Sequence, residues 1–305
     1  MSMTTSGIYS PTSYTIPVKS LTKPIHVAII GDIHRDASGF SKRAWTHHLR
    51  KLKSLAEVGD LYAALIGDYM DFASTSEKKA VRDVHESTLK KWDNDAIADT
   101  ERIAKELLGC GIKGFLFALN GNHSWEFRTN HLASYGTSAL QEAGHPPGLA
   151  DTDHLLAHLL GTVCPGVMTI CNMVFEYQSS RLSYKWCAHH GRGGGSTVGA
   201  ALNPIEKMAG AVEADIYVQG HTHQMAAAKR VRIHLGQDNK TRHKTITLIR
   251  NGSFLKAYED GEPNHVVDSL MMPAHLGASI IRFDLFKDKN PDGSRALVAE
   301  QMVMF

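Results

Sequence analysis

Apolar residues in the first part of the chain come in short unbroken runs, each stopped by a glycine or asparagine next to a polar residue. Residues 25–30 (IHVAII) end at Gly31-Asp32, residues 61–66 (LYAALI) at Gly67-Asp68, and residues 113–119 (KGFLFAL) at Asn120-Gly121-Asn122-His123. Unbroken apolar runs of strand length predict strands covered on both faces. Between the first two, Trp45, Leu49, Leu52 and Ala56 recur at helical spacing. A long polar stretch at 76–108 pairs Ile103 with Leu107 and Ala104 with Leu108 before Gly109 and Gly111 stop it, which predicts a second helix. The order strand, helix, strand, helix, strand predicts an α/β fold, in which ligands bind at the carboxyl ends of the strands.

After residue 123 the pattern changes. Residues 124–162 read as helical and irregular, broken at His145-Pro146-Pro147-Gly148. From 168 onward the runs are short, often alternating and separated by turn residues, at 168–177, 181–188, 215–219, 225–235, 244–250, 278–285 and 296–304. They predict a second, mixed sheet. No linker divides the chain. The expected organisation is an N-terminal polar arm at 1–24 and one domain at 25–305. That domain packs two sheets flanked by helices and carries a helical insertion at about 124–180.

Composition narrows the function classes. Of 305 residues, 43% are hydrophobic and 21% charged, which excludes a largely disordered chain. The net charge of +2 supplies no chain-wide field for nucleic acid or membrane. No apolar run approaches the roughly 18 residues of a membrane span. The N-terminal segment lacks the apolar core of a secretion signal. Cys110, Cys164, Cys171 and Cys187 form no CxxC pair and suit a reducing compartment. The expected location is cytoplasmic, and the glycosylation-like triplet Asn251-Gly252-Ser253 is discounted for that reason. The chain has 18 histidines, and His34, His123, His189, His190, His221 and His223 all fall where apolar runs end. Histidine is the commonest metal ligand.

Five short motifs occur in order: Gly31-Asp32-Ile33-His34, Gly67-Asp68-Tyr69-Met70-Asp71, Gly121-Asn122-His123, His189-His190-Gly191 and Gly220-His221-Thr222-His223. In extended backbone, residues i and i+2 point to the same side, so Asp32 with His34, and His221 with His223, are each expected to aim at one locus. The neighbouring glycines let the backbone turn sharply and come close. Carboxylate, amide and imidazole form a mixed O/N donor set suited to Mn²⁺, Fe²⁺, Zn²⁺ or Ni²⁺ rather than Ca²⁺. Seven donors exceed what one ion with an open position needs. They suit two ions sharing a carboxylate, roughly 3.5–4 Å apart, the arrangement that clamps a phosphoryl displacement.

These motifs, from Val27 to about Phe254, resemble those of the calcineurin-like metallophosphoesterase superfamily: GDxH, GDxxD, GNH followed by an acid, a His often followed by Gly, and GHxH. Asn251-Gly252-Ser253 resembles the Asn-Pro-Gly-Ser turn that often follows GHxH there. The resemblance implies a four-layer α/β/β/α sandwich. It implies two divalent ions per chain, with Mn²⁺ the first choice and Mg²⁺ also compatible. Asp32, His34 and His223 would hold one ion, Asn122, His190 and His221 the other, and Asp68 would bridge them. A hydroxide bridging the ions would attack a phosphate ester, with His123 as general acid. Ser124 departs from the pattern, since the family places there an acid that helps hold the catalytic histidine. Glu126 is the nearest substitute. His189 is the alternative to His190 as ligand.

Substrate choice lies outside the motifs, because the same core serves phosphatases, phosphodiesterases and nucleases. The forms GDYMD and GHTH lean toward the phosphodiesterase and nuclease branches. A phosphomonoesterase or nucleotide pyrophosphatase is the alternative, and a binding scaffold on the same fold is the non-enzyme alternative. Arg35, Arg128 and Arg192 closely follow motif residues and are candidate phosphate contacts. Asp71 and His189 are candidate neighbours of the ligands. Residues 229–244 (KRVRIHLGQDNKTRHK) alternate basic and apolar side chains, which suits a solvated strand or a nucleic-acid track.

Overall fold

The computed structural model describes residues 11–72, 86–127, 139–146, 148–192, 198–235, 239–256, 274–289 and 293–305. The three unbroken apolar runs are strands β2 (Ile25–Ile30), β3 (Asp60–Leu65) and β4 (Phe115–Ala118), adjacent and parallel. Nearly every residue in them is buried. The antiparallel strands β10 (Ile280–Lys289) and β11 (Arg295–Met304) complete a five-stranded sheet of order β11-β10-β2-β3-β4.

The second sheet has six strands, ordered β1-β5-β6-β7-β9-β8. These are β1 (Thr12–Pro17), β5 (Met168–Tyr177), β6 (Ser180–His189), β7 (Ile216–Gln219), β8 (Ala226–Leu235) and β9 (Thr241–Arg250). Strands β6, β7 and β9 run parallel, so their carboxyl ends share one edge. The sheets meet face to face through Val27, Ile29, Phe117, Trp186, Val218, Ile249 and Phe283, all fully buried.

Helix α1 (Lys42–Val58) is capped by Ser41 and buries Trp45, His48 and Leu52. With α2 (Glu86–Leu108) and α4 (Thr152–Leu159) it covers the outer face of the five-stranded sheet. Helix α5 (Val198–Ala211) covers the other sheet through Ile205 and Ala209, against Tyr217 and Leu248. The layers are helix, sheet, sheet, helix, the four-layer α/β sandwich.

Three details differ from the sequence expectation. The N-terminal segment is not wholly a loose arm. Thr12–Pro17 pairs in parallel with β5, and Ile16 is fully buried between the sheets. The region 124–180 is only partly helical, with α3 (Ala139–Glu142) and α4 followed by β5, a strand of the core sheet. Helix α5 contains Pro204, a breaker that hides its periodicity from a sequence reading. Of the helix expected at 76–108, residues 76–85 lie outside the described residues. Among the described residues no helix is long and apolar enough to cross a membrane.

Candidate metal centre

The five motifs sit at the carboxyl ends of β2, β3, β4, β6 and β7, and the sandwich brings those ends together from both sheets. Among the described residues, three sets of ligand atoms cluster within 4.8 Å of one another: Asp32 with His34 and His223, Asp68 with His190 and His221, and His34 with Asp71 and His123.

The side chains converge by a route the sequence reading did not foresee. Asp32, His34, Asp68, His221 and His223 all have positive φ, between 49° and 73°. The backbone of the Asp-x-His and His-x-His pairs is therefore left-handed, not extended. Left-handed backbone costs a non-glycine residue about 1–2 kcal/mol, and such strain gathers at functional sites. Hydrogen bonds between the strand ends hold it: Asp32 N donates to Gly67 O (2.9 Å), Ile33 N to Asp68 O (2.8 Å), and Phe254 N to Asp32 O (3.0 Å). The Ser253 hydroxyl also donates to Asp32 O at 2.9 Å, which gives the Asn-Gly-Ser turn its place behind the first motif.

Asp68 is at the middle. Its Oδ1 accepts from the backbone N–H groups of Asn122 (2.8 Å) and His123 (3.0 Å). Its Oδ2 lies 3.0 Å from His190 Nε2 and 3.9 Å from His34 Nε2, so one oxygen faces imidazoles from both halves. Such tight approach requires glycine at 121, where an added Cβ would fall 2.0 Å from Asp68 Oδ1. Gly220 serves likewise, with its Cβ position 2.4 Å from Asp32 Oδ2.

On one side of Asp68, His34 Nε2 and His223 Nε2 face each other at 3.1 Å, and Asp32 Oδ1 is 3.5 Å from His223 Nε2. On the other, His190 Nε2 is 2.9 Å from Asn122 Oδ1, and its Nδ1 donates to Ile66 O at 2.7 Å, which fixes the tautomer. His189 belongs to no cluster among the described residues, and its Nδ1 accepts from Gly191 N at 2.8 Å.

The buried acids and imidazoles act strongly on one another: against burial, the Asp68 charge raises His190 to about 9, and the Asp71 hydrogen bond with the Asp68 charge raises His34. Burial raises the Asp32 carboxyl to about 7, only partly offset by His190. Burial also pushes Asp68 up, but His190, His34 and His123 outweigh it and hold the carboxyl well below the usual range. Burial and then His190 lower His221 to about 4, and burial with His34 takes His223 well below its ordinary value. Both imidazoles are thus neutral, the form that ligates a metal. Asp32 Oδ2 is buried with no hydrogen-bond partner. An orphaned carboxylate oxygen facing a mixed O/N donor set fits a bound divalent cation.

Asp71 lies beside both the ligands and His123. Its Oδ1 is 2.7 Å from His34 Nδ1 and 3.2 Å from His123 Nδ1. The position after Gly-Asn-His is Ser124, and the carboxylate found beside His123 is Asp71. Glu126, the substitute named from the sequence, is exposed, and its backbone bridges Asp151.

The arginines fare differently. Arg35 is bound through both terminal nitrogens to Glu106 (2.5 and 3.0 Å), which also accepts from Trp45 Nε1 at 2.6 Å. Arg192 is exposed. Arg128 lies outside the described residues, as do 193–197 of the glycine loop. Of the basic stretch 229–244, residues 236–238 lie outside the described residues; the rest falls largely in the antiparallel strands β8 and β9, and several of its cations are tied to the body. Arg230 pairs with Glu206 (3.0 Å), Lys244 with Asp215 (2.5 Å), Lys229 with Gln301 O (2.6 Å) and Arg232 with Ala209 O.

Two supports escaped the sequence reading. Asp153, 1% exposed and raised by burial to about 8, accepts from Gly121 N at 2.9 Å and so braces the turn carrying Asn122 and His123. Arg250, 1% exposed, donates to Gly220 O (2.7 Å) and Ala201 O (2.9 Å) behind the last motif. The only sequence signal for Arg250 is a charge ending an apolar run. For Asp153 it is an acid at a helix start.

No protein-family model matches the sequence, and no curated protein matches it. Among solved structures, Chaetomium thermophilum Vps29 aligns over 91% of this chain and 95% of its own, at 10% identity and a TM-score of 0.31. The same protein complexed with a cyclic peptide aligns over 92% and 96%, at 11% identity and a TM-score of 0.31. A conserved protein from Streptococcus pneumoniae TIGR4, described as a predicted phosphoesterase, aligns over 92% and 98%, at 11% identity and a TM-score of 0.28.

Proposed function

We propose that this chain is a metal-dependent phosphoesterase with two divalent cations per chain, acting by preference on a phosphodiester. The observation that carries the reading is the convergence of all five motifs on Asp68, with five of their residues held in left-handed backbone. Asp32, His34 and His223 would hold one cation, Asn122, His190 and His221 the other, with Asp68 between them. When bound, such cations supply Lewis-acid charge against a phosphoryl group and lower the pKa of water.

The remaining work falls to the chain's own residues. His123 is anchored through its backbone N–H to Asp68, and its side chain is 23% exposed, within reach of a substrate. Burial lowers its pKa, and the Asp68 and Asp71 charges work against that. A protonated His123 passes its proton to the leaving oxygen, and Asp71 stabilises the charged ring during that transfer. Asp71 also orients His34 through Nδ1, leaving Nε2 for the cation.

The test is hydrolysis of bis-p-nitrophenyl phosphate against p-nitrophenyl phosphate by metal-stripped protein reloaded with Mn²⁺, with Asp68→Asn as blank. Turnover that depends on metal and vanishes in the blank supports the reading, and unchanged turnover in the blank refutes it. Preference for the monoester moves the substrate to a phosphomonoester. Asp71→Asn should lose about 10–100-fold in turnover or metal affinity.

A further inference from the structure

A cleft of about 860 Å³ opens along the first turns of α1, apart from the metal-site side chains. Lys42, Arg43, His47, Arg50 and Lys51 line one wall, and His275 comes from the segment opposite. Among the described residues no Asp or Glu side chain lines it. Lys51 is engaged by the Phe305 main-chain oxygen at 2.6 Å. Lys42, Arg43 and Arg50 pair with no carboxylate among the described residues.

This charge arrangement runs against helix physics. The amino end of a helix carries positive partial charge and is stabilised by acids. The first turn of α1 contains no acid and begins with Lys42-Arg43. Ser41 satisfies the N–H of Ala44. The chain therefore adds cations to a helix end that is already positive, and an anion in the cleft would offset both.

His48 is an independent observation. It lines the same cleft, is 4% exposed, and its Nε2 has no hydrogen-bond partner. Its ring stacks on Trp45 (centroids 6.2 Å apart) and contacts Phe254 at 5.3 Å. Burial, with Lys51 and His47 adding to it, keeps the ring neutral. A buried ring nitrogen without a partner is a cost that a bound acceptor removes.

We propose that this cleft binds a small anion carrying several phosphates, with Lys42, Arg43 and Arg50 meeting the phosphates over a floor formed by His48. The site stands independently of the metal centre, although Met225 on its wall follows His223 by two residues. The probe is inorganic tripolyphosphate, titrated calorimetrically into the metal-stripped full chain at low and at physiological salt. The expected result is one tripolyphosphate per chain, weakened by salt and weakened at least about tenfold in Lys42→Ala/Arg43→Ala. Those side chains are exposed, so the variant folds. Lys19→Ala/Lys23→Ala removes the same charge elsewhere on the surface and should bind as wild type. His48→Gln, which keeps a donor, should bind more tightly than His48→Phe. Absence of binding, or equal weakening in both lysine-containing double variants, overturns the proposal. Displacement of tripolyphosphate by a more tightly bound single-stranded oligonucleotide would also overturn it and make the surface a strand-binding one.

Discussion

Replacing His223 by glycine should stabilise the metal-free protein relative to replacing it by alanine. His223 has φ 59°, and both substitutions remove its contact with His34. Alanine keeps a Cβ in left-handed backbone, at a cost of about 1–2 kcal/mol. Glycine removes that cost but gives up about 0.5–1 kcal/mol through the greater freedom of the unfolded chain. The net advantage of glycine is about 0.5–1 kcal/mol. With an unfolding entropy of about 2.1 cal/mol/K per residue over this length, that is a rise of about 1–2 °C in melting temperature. The assay is thermal unfolding of wild type, His223→Ala and His223→Gly, each stripped of metal and then each with excess Mn²⁺. Excess metal should stabilise wild type most: it gains up to about 2.7 kcal/mol at a hundredfold excess over the dissociation constant, and both variants, lacking the imidazole, gain less. If the alanine variant is as stable as the glycine variant without metal, the backbone at 223 stores no strain and the reasoning fails.

Two further outcomes can be checked. Gly121→Ala places a methyl group against Asp68, so the variant should fold less stably and lose Mn²⁺ stoichiometry in equilibrium dialysis; retention of full metal content would contradict the close packing. His48, with a folded pKa lowered to about 3 by burial, binds its proton more weakly folded than unfolded, so its contribution is present above about pH 6.5 and is lost as pH falls toward 3. Between pH 7 and 5 the wild type should lose about 2 kcal/mol more than His48→Gln in urea unfolding, and parallel losses would refute the burial argument.

The convergence of the candidate site was legible because its donors are carried by residue type and order. Asp32, His34, Asp68, Asn122, His123, His221 and His223 follow unbroken apolar runs, and those runs are the buried strands that carry them. The backbone state was not legible. Spacing of two suggested extended chain, whereas the pairs converge through left-handed turns braced by Gly67 O, Asp68 O and Ser253, contacts between segments distant in sequence. Asp153 and Arg250 were missed for the same reason, since each acts on a main-chain group that only the fold brings near. Strand β1 went unread because its alternation is partly polar, and a parallel edge partner is invisible from local pattern.

Because the centre draws on both sheets, it has a consequence for how the protein is made. Asp32 meets His221, and His34 meets His223, across 189 residues of chain. Closing such a span is among the slow steps of folding. During synthesis the first three motifs emerge long before the last two, so a nascent chain holds only half of the candidate centre. On the proposed reading, metal uptake would mark completed topology: a chain able to hold ions at these residues has already docked its two sheets.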